Sequence, residues 1–317
     1  MFRKRYIAAV ILLVVLGPVV IRQLFPPEPR QYSGVTLDQV QYTEVAFHNE
    51  AQDLDLAGML FTPDGDGPFP VAIIIHGSGT SNRENRWYLT LTKHLQDNGI
   101  AVLLPDKRGS ESSSGDWRTS SFEDLATDTH AAIEFVETQE ITPVSGVGIV
   151  GMSQGGWIAP IVARDAEGIE FIVSMVGSAV TPKEQLLYEE DHNIRQMGFL
   201  PGVSYAIALI STQHIRHFVM PEIYDAITDY DPIPLWGRVD IPVLALLGSE
   251  DTNVPSAESA ARLEALGNDS IRVIVYEGSE HALQDPPGQG DRLIRTEALD
   301  AIAGFILDST AGNGSTN

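Results

Sequence analysis

The chain has 317 residues and no cysteine, and 43 acidic against 20 basic residues give it a formal net charge of −23. That length suits one α/β domain carrying an insertion, with a core that needs no covalent staples. The composition excludes disulfides, thiol nucleophiles and cysteine-based metal sites, and so acidic a chain is a poor partner for nucleic acid or for anionic lipid surfaces.

Residues 1–30 do not read as globular protein. Arg3, Lys4 and Arg5 precede an uncharged, apolar run from Tyr6 to Ile21 that ends at Arg22. The run is shorter than the ~20 residues of a usual spanning helix, but Leu24 and Phe25 extend it if Arg22 snorkels to the interface. No A-x-A-like cleavage site follows, so an uncleaved signal anchor is favoured over a cleaved signal peptide. Either way the basic flank stays in the cytoplasm and the rest lies outside it, in the periplasm or at the cell surface. The alternative is secretion after cleavage. Pro26, Pro27 and Pro29 form a stiff spacer.

From about Val40 onward strands alternate with helices. Short apolar runs bounded by turn residues predict strands at Tyr42–Phe47, Leu54–Phe61, Pro70–Ile75, Ile100–Leu104, Val147–Val150, Phe171–Val176, Pro242–Leu247 and Ile271–Tyr276. The first two read as an antiparallel pair. Helical patterns lie between them at Arg86–Asn98, Phe122–Gln139, Trp157–Ala166, Ala257–Leu266 and Arg292–Leu307. The alternation predicts a mostly parallel central sheet flanked by helices. Residues 181–239 break it, with about 60 residues of helix-like pattern and no strand, too long for a plain connection. This segment reads as a helical cap inserted into a core formed by residues 31–180 and 240–308. A polar tail, expected to be disordered, follows at 309–317.

The strongest chemical signal is Gly151-Met152-Ser153-Gln154-Gly155, set between a β-run and a helical stretch. That is the context of a nucleophile elbow, a sharp turn that needs small residues two positions either side of the serine. A serine hydroxyl needs a base, itself oriented by an acid. In this fold the chain order is serine, acid, histidine. Asp251, in Gly248-Ser249-Glu250-Asp251, and His281, in Glu277-Gly278-Ser279-Glu280-His281, follow in that order, each just past a predicted strand. Glu250 is the rival acid; the spacing within the motif favours Asp251. His281 has no competing histidine in the last third of the chain. Two N–H donors must stabilise a tetrahedral intermediate. One is expected from Gln154 and the other from the loop His76-Gly77-Ser78-Gly79, with Ser78 first and Gly77 next, while His76 orients the loop. His214 and His217 lack a third metal ligand nearby and read as a solvated or packing pair. Lys107-Arg108-Gly109 lacks the spacing of a phosphate loop.

With these motifs in place, the chain resembles bacterial α/β-hydrolase carboxylesterases of the EstD kind, near the prolyl oligopeptidase-like branch. The matching segments are His76 to Gly79, Asp106 to Gly109, Gly151 to Trp157, Gly248 to Pro255 and Glu277 to His281, and the resemblance runs from about Val40 to Leu307. One departure is the acidic, serine-rich stretch Ser110-Glu111-Ser112-Ser113-Ser114-Gly115 after the Asp106 motif. The resemblance implies an enzyme with no cofactor and no metal that cleaves a small-molecule acyl ester. An aminopeptidase or amidase with the same triad is the alternative, with Glu189, Glu190 and Asp191 available to hold a substrate amine. A catalytically silent binding protein is a third reading. No nucleic-acid partner is expected, and a membrane is expected to be met through the N-terminal segment only.

Overall fold

A computed structural model describes residues 17, 19–26, 28–138 and 143–311. The signal-anchor reading falls largely outside them. Among the described residues, no helix is long and apolar enough to cross a membrane.

Eight strands form one sheet: β1 (Thr43–Asn49), β2 (Leu54–Phe61), β3 (Phe69–Ile75), β4 (Ala101–Pro105), β5 (Val144–Met152), β6 (Ile169–Met175), β7 (Val243–Gly248) and β8 (Ile271–Tyr276). Their order is β1-β2-β4-β3-β5-β6-β7-β8. β1 pairs antiparallel with β2, and β2 antiparallel with β4. Every other pairing is parallel. The sheet is thus mostly parallel, as its apolar runs predict.

The physical reason lies in how the strands alternate. Val71, Ile73 and Ile75 of β3 face one apolar cluster, which is built with α2 (Phe122–Thr138) and α3 (Gly155–Asp165). Ala72 and Ile74 face the other, built with α1 (Arg86–Asp97) and α9 (Thr296–Thr310). Successive side chains of a strand point to opposite faces, so a strand covered on both sides must be apolar at every position.

Between β6 and β7 the described residues contain helices and no strand: α4 (Pro182–Gln196), α5 (Pro201–His214) continued by one wide π turn (Ile215–Val219), α6 (Pro221–Ile227) and α7 (Ile233–Trp236). The remaining helix, α8 (Ser256–Ala265), joins β7 to β8. Two terminal expectations need correction. The last helix begins at Thr296 rather than Arg292, because the Leu293 amide donates to the Ser33 carbonyl and the Arg292 amide to the Asp285 carboxylate. It also continues to Thr310, which is buried, so residues 309 and 310 are helical rather than part of the expected tail, of which residues 312–317 lie outside the described residues.

Candidate active site

The carboxyl ends of β5, β7 and β8 converge on one point, the place where ligands meet open α/β sheets. β5 ends at Met152 and α3 begins at Gly155, leaving a two-residue turn. Ser153 sits in it with φ of +53°. A non-glycine residue is rarely found in that region and is held there only by its surroundings. The turn closes because Gly151 and Gly155 lack side chains: a Cβ on Gly155 would run into the Ile75 carbonyl, and one on Gly151 into the Gly155 backbone. The result pushes Ser153 partly out of an otherwise buried segment.

His281 Nε2 lies 3.0 Å from Ser153 Oγ, and His281 Nδ1 lies 2.8 Å from Asp251 Oδ2. Asp251 is 1% exposed, and its second oxygen accepts the Asn253 and Val254 amides at 2.8 and 2.9 Å. These bonds hold the carboxylate plane that faces the imidazole. Glu250, the rival, points outward and is exposed. Trp87 braces the histidine loop, with its ring 5.8 Å from the His281 ring and its indole N–H donating to the Ala282 carbonyl at 3.2 Å.

The loop after β3 supplies the opposite wall. The Gly77 amide donates to Tyr88 Oη at 2.9 Å. It is therefore committed inside the protein, and the expectation that Gly77 could serve an oxyanion is corrected: a tyrosine from α1 has taken the donor. Ser78 and Gln154 both line the cavity that holds Ser153, and among the described residues no protein group accepts from the amide of either. His76 is buried and its Nε2 meets the Pro105 carbonyl. Burial pulls its pKa down to about 4, so the ring is neutral near pH 7.

Sequence reasoning gave Lys107 no part in the site, yet the structure puts it beneath the cavity. It is 7% exposed, and its Nζ donates to the Gly77 carbonyl at 2.8 Å and to Gln154 Oε1 at 2.7 Å. Burial brings its pKa down to about 7, with Asp128 opposing that shift. The neighbouring Arg108 and Asp106 act as struts. Arg108 pairs with Asp128 on α2 at 2.7 and 2.8 Å, and Asp106 takes Arg83 through two bonds of 2.9 and 2.7 Å.

The cavity above Ser153 measures about 400 Å³. Trp117 and Trp157 wall it from the core, and Leu186, Ile215, Ile223 and Tyr224 from the inserted helices. Glu189 and Glu190 also line it. Burial holds the Glu189 carboxyl above its ordinary pKa; the His281 charge opposes this, and Glu190 and Asp251 add to it. Asp191 turns away, buried against Ser204 Oγ and Arg195. The inserted helices reach the triad directly, since Tyr188 Oη donates to the Asp251 carbonyl at 2.7 Å.

A serine on an elbow, followed along the chain by an acid and a histidine on this sheet, defines the α/β-hydrolase class. Comparison with known proteins agrees. Residues 130–288, just over half of the chain, match the family described as BAAT / Acyl-CoA thioester hydrolase C terminal, and residues 56–196 match the Dienelactone hydrolase family. The chain is an EstD-like α/β-hydrolase and belongs to the BAAT / acyl-CoA thioester hydrolase C-terminal family. Esterase EstD of Thermotoga maritima is 22% identical over 251 residues, 74% of this chain and 59% of that protein. The acylamino-acid-releasing enzyme of Mus musculus is 26% identical over 298 residues, 87% of this chain and 35% of that protein. The chain therefore spans between about a third and three fifths of the length of these relatives. An esterase structure from Pyrococcus furiosus superposes with a TM-score of 0.65 at 16% identity, covering 89% of this chain and 97% of that one. At that identity the likeness is one of fold.

Proposed function

We propose that the chain is a serine hydrolase that cleaves carboxylic esters, with Ser153 as nucleophile, His281 as base and Asp251 as the acid that orients it. The observation that carries this reading is the continuous relay from Ser153 Oγ through His281 to the buried Asp251 carboxylate, with bonds of 3.0 and 2.8 Å. Ser153 Oγ attacks the acyl carbonyl as its proton passes to His281 Nε2. The oxyanion is held by the Ser78 and Gln154 amides. The intermediate collapses to acyl-Ser153 and an alcohol, which takes the proton from His281. Water, activated by the same imidazole, then releases the acid and restores the serine. Asp251 keeps the proton of neutral His281 on Nδ1 and stabilises the imidazolium that forms. No step calls for a cofactor or a metal.

The mostly apolar cavity wall suits an acyl chain. The test is turnover of p-nitrophenyl esters of rising chain length, with Ser153→Ala in parallel. Ser153-dependent turnover supports the reading, and undiminished turnover by Ser153→Ala defeats it. Labelling of Ser153 by a fluorophosphonate would set aside a catalytically silent binding protein.

A second reading, amide or aminopeptide cleavage by the same triad, is favoured by one observation. Glu189 and Glu190 line the cavity and would pair with a substrate amine. Cleavage of aminoacyl p-nitroanilides, lost in Glu189→Gln, is its signature. Failure across a broad anilide panel would remove it.

We propose further that the domain works outside the cytoplasm, tethered by the N-terminal segment. Support comes from the basic cluster Arg3, Lys4 and Arg5 before the apolar run, and from Val20, Ile21, Leu24 and Phe25, which are apolar and exposed. Retention of the full chain in carbonate-washed membranes, together with digestion by protease added outside, is the expected result. Release by the wash, or protection from the protease, would contradict it.

A further inference from the structure

Lys107 carries a buried amine for which the relay from serine to aspartate has no use. Both of its bonds end on residues of the oxyanion wall. One acceptor is the Gly77 carbonyl, 2.8 Å from Nζ, and the other is Gln154 Oε1, 2.7 Å away. The first contact bears on the chemistry through peptide geometry. The Gly77 carbonyl and the Ser78 N–H belong to one planar peptide unit. It is trans, since the cis bond among the described residues lies at Gly67-Pro68. In a trans unit the two groups point in opposite directions. A lysine N–H holding the oxygen from below therefore turns the Ser78 N–H away from itself.

The preceding peptide is locked as well. Its N–H, on Gly77, donates to the buried Tyr88 hydroxyl at 2.9 Å. A Cβ on Gly77 would come within 3.3 Å of Ser153 Cβ, so this backbone lies directly against the nucleophile. Without a partner on its oxygen, a glycine-flanked peptide is free to rotate and present a carbonyl where a donor is needed. Lys107 also polarises the peptide it grips, because a bond to the carbonyl strengthens what the N–H can donate. Trp117, whose ring centre is 5.1 Å from Nζ, covers the amine on the cavity side. The lysine thus acts from beneath the cavity floor and not on substrate.

Resting on the serine-hydrolase reading, we infer that Lys107 is the positioning residue of the oxyanion hole, clamping the Gly77-Ser78 peptide and the Gln154 side chain so that both backbone donors face the acyl oxygen.

An oxyanion donor is worth most in the transition state, and removing one typically costs about 10²–10³ in kcat. The experiment compares the full chain with Lys107→Met, which keeps the length and apolar stem, and with Lys107→Gln, which can donate but is too short to reach both acceptors. The readouts are kcat and KM on a short p-nitrophenyl ester, and Ki for an aryl trifluoromethyl ketone, whose serine adduct carries an oxyanion. For Lys107→Met we expect kcat to fall roughly 10²-fold, KM to stay within about twofold and Ki to rise in step with the loss of kcat/KM. Lys107→Gln should fall between it and wild type. Thermal unfolding confirms which variants are folded, and if Lys107→Met is not, Lys107→Gln carries the test. A folded variant with wild-type kcat, or one whose kcat falls while Ki is unchanged, overturns the inference. Turnover that survives Ser153→Ala defeats the hydrolase reading itself. Ser153-dependent turnover that both Lys107 variants leave intact defeats the clamp alone.

Discussion

The hydroxyl of Tyr188, on the first of the inserted helices, donates to the backbone carbonyl of Asp251 at 2.7 Å. The insertion is therefore bonded to the loop that carries the triad acid. Tyr188→Phe removes that bond and leaves the carbonyl without this donor, a loss of about 0.5–1.5 kcal/mol. We expect kcat/KM to drop between about twofold and tenfold, with the thermal midpoint lower by roughly 1–6 °C. Steady-state kinetics beside a melting curve checks this, and unchanged kinetics would mean that the acid loop holds its place without the insertion.

Asp251→Asn keeps the shape of the side chain but presents an amide to the imidazole, which favours the wrong tautomer. The expected loss in kcat is about 10⁴, the size seen when the equivalent change is made in a serine protease triad. Glu250→Gln, on the exposed neighbour, should change kcat by less than about twofold, since surface substitutions away from a site have small effects. Reversal of these two results would hand the acid role to Glu250.

His76 gives stability a pH dependence. Its folded pKa is about 4 against an ordinary 6.5, because burial disfavours the charged ring. Between those values the unfolded chain binds a proton that the folded chain does not. Stability is therefore fully present above pH 6.5 and falls as pH drops toward 4, by up to about 3 kcal/mol. Denaturant titrations across that window should show the slope, and His76→Gln should flatten it. Equal slopes in the two proteins would contradict this account of the loop.

Gly155→Ala tests the elbow. The added methyl meets the Ile75 carbonyl at the end of β3, and overpacking of this sort costs about 1–3 kcal/mol. Unfolding should shift to lower denaturant, and kcat should fall because the turn that aims Ser153 must open. A variant with wild-type stability and rate would show that the turn has slack.

The sheet was legible because β3, β5 and β7 are apolar on both faces, and a continuous apolar run between turn residues has few other readings. The triad was legible from motif and chain order. The choice between Glu250 and Asp251 rested on spacing alone, and only the backbone of the turn separates them in space, burying Asp251 under two amides while Glu250 faces solvent. Gly77 was misread because no local pattern announces that a tyrosine eleven residues on will fold back onto its amide. Lys107 was invisible for a related reason. A loop lysine is ordinarily solvated, and its burial depends on Trp117 and Gln154 arriving from different parts of the chain. In the insertion the helical character and the lack of a strand were legible. The wide turn at Ile215–Val219 was not, since no side-chain cap marks its start and none of its residues is buried.

The central claim is that Ser153 is acylated during turnover. The direct measurement is mass spectrometry of the full chain quenched during steady-state hydrolysis of a slow p-nitrophenyl ester, with peptide mapping. The account predicts one acyl group per chain, located on the peptide that carries Ser153, absent from Ser153→Ala and removed on further incubation. An acyl group on another residue, or ester hydrolysis by Ser153→Ala at the wild-type rate, would contradict it.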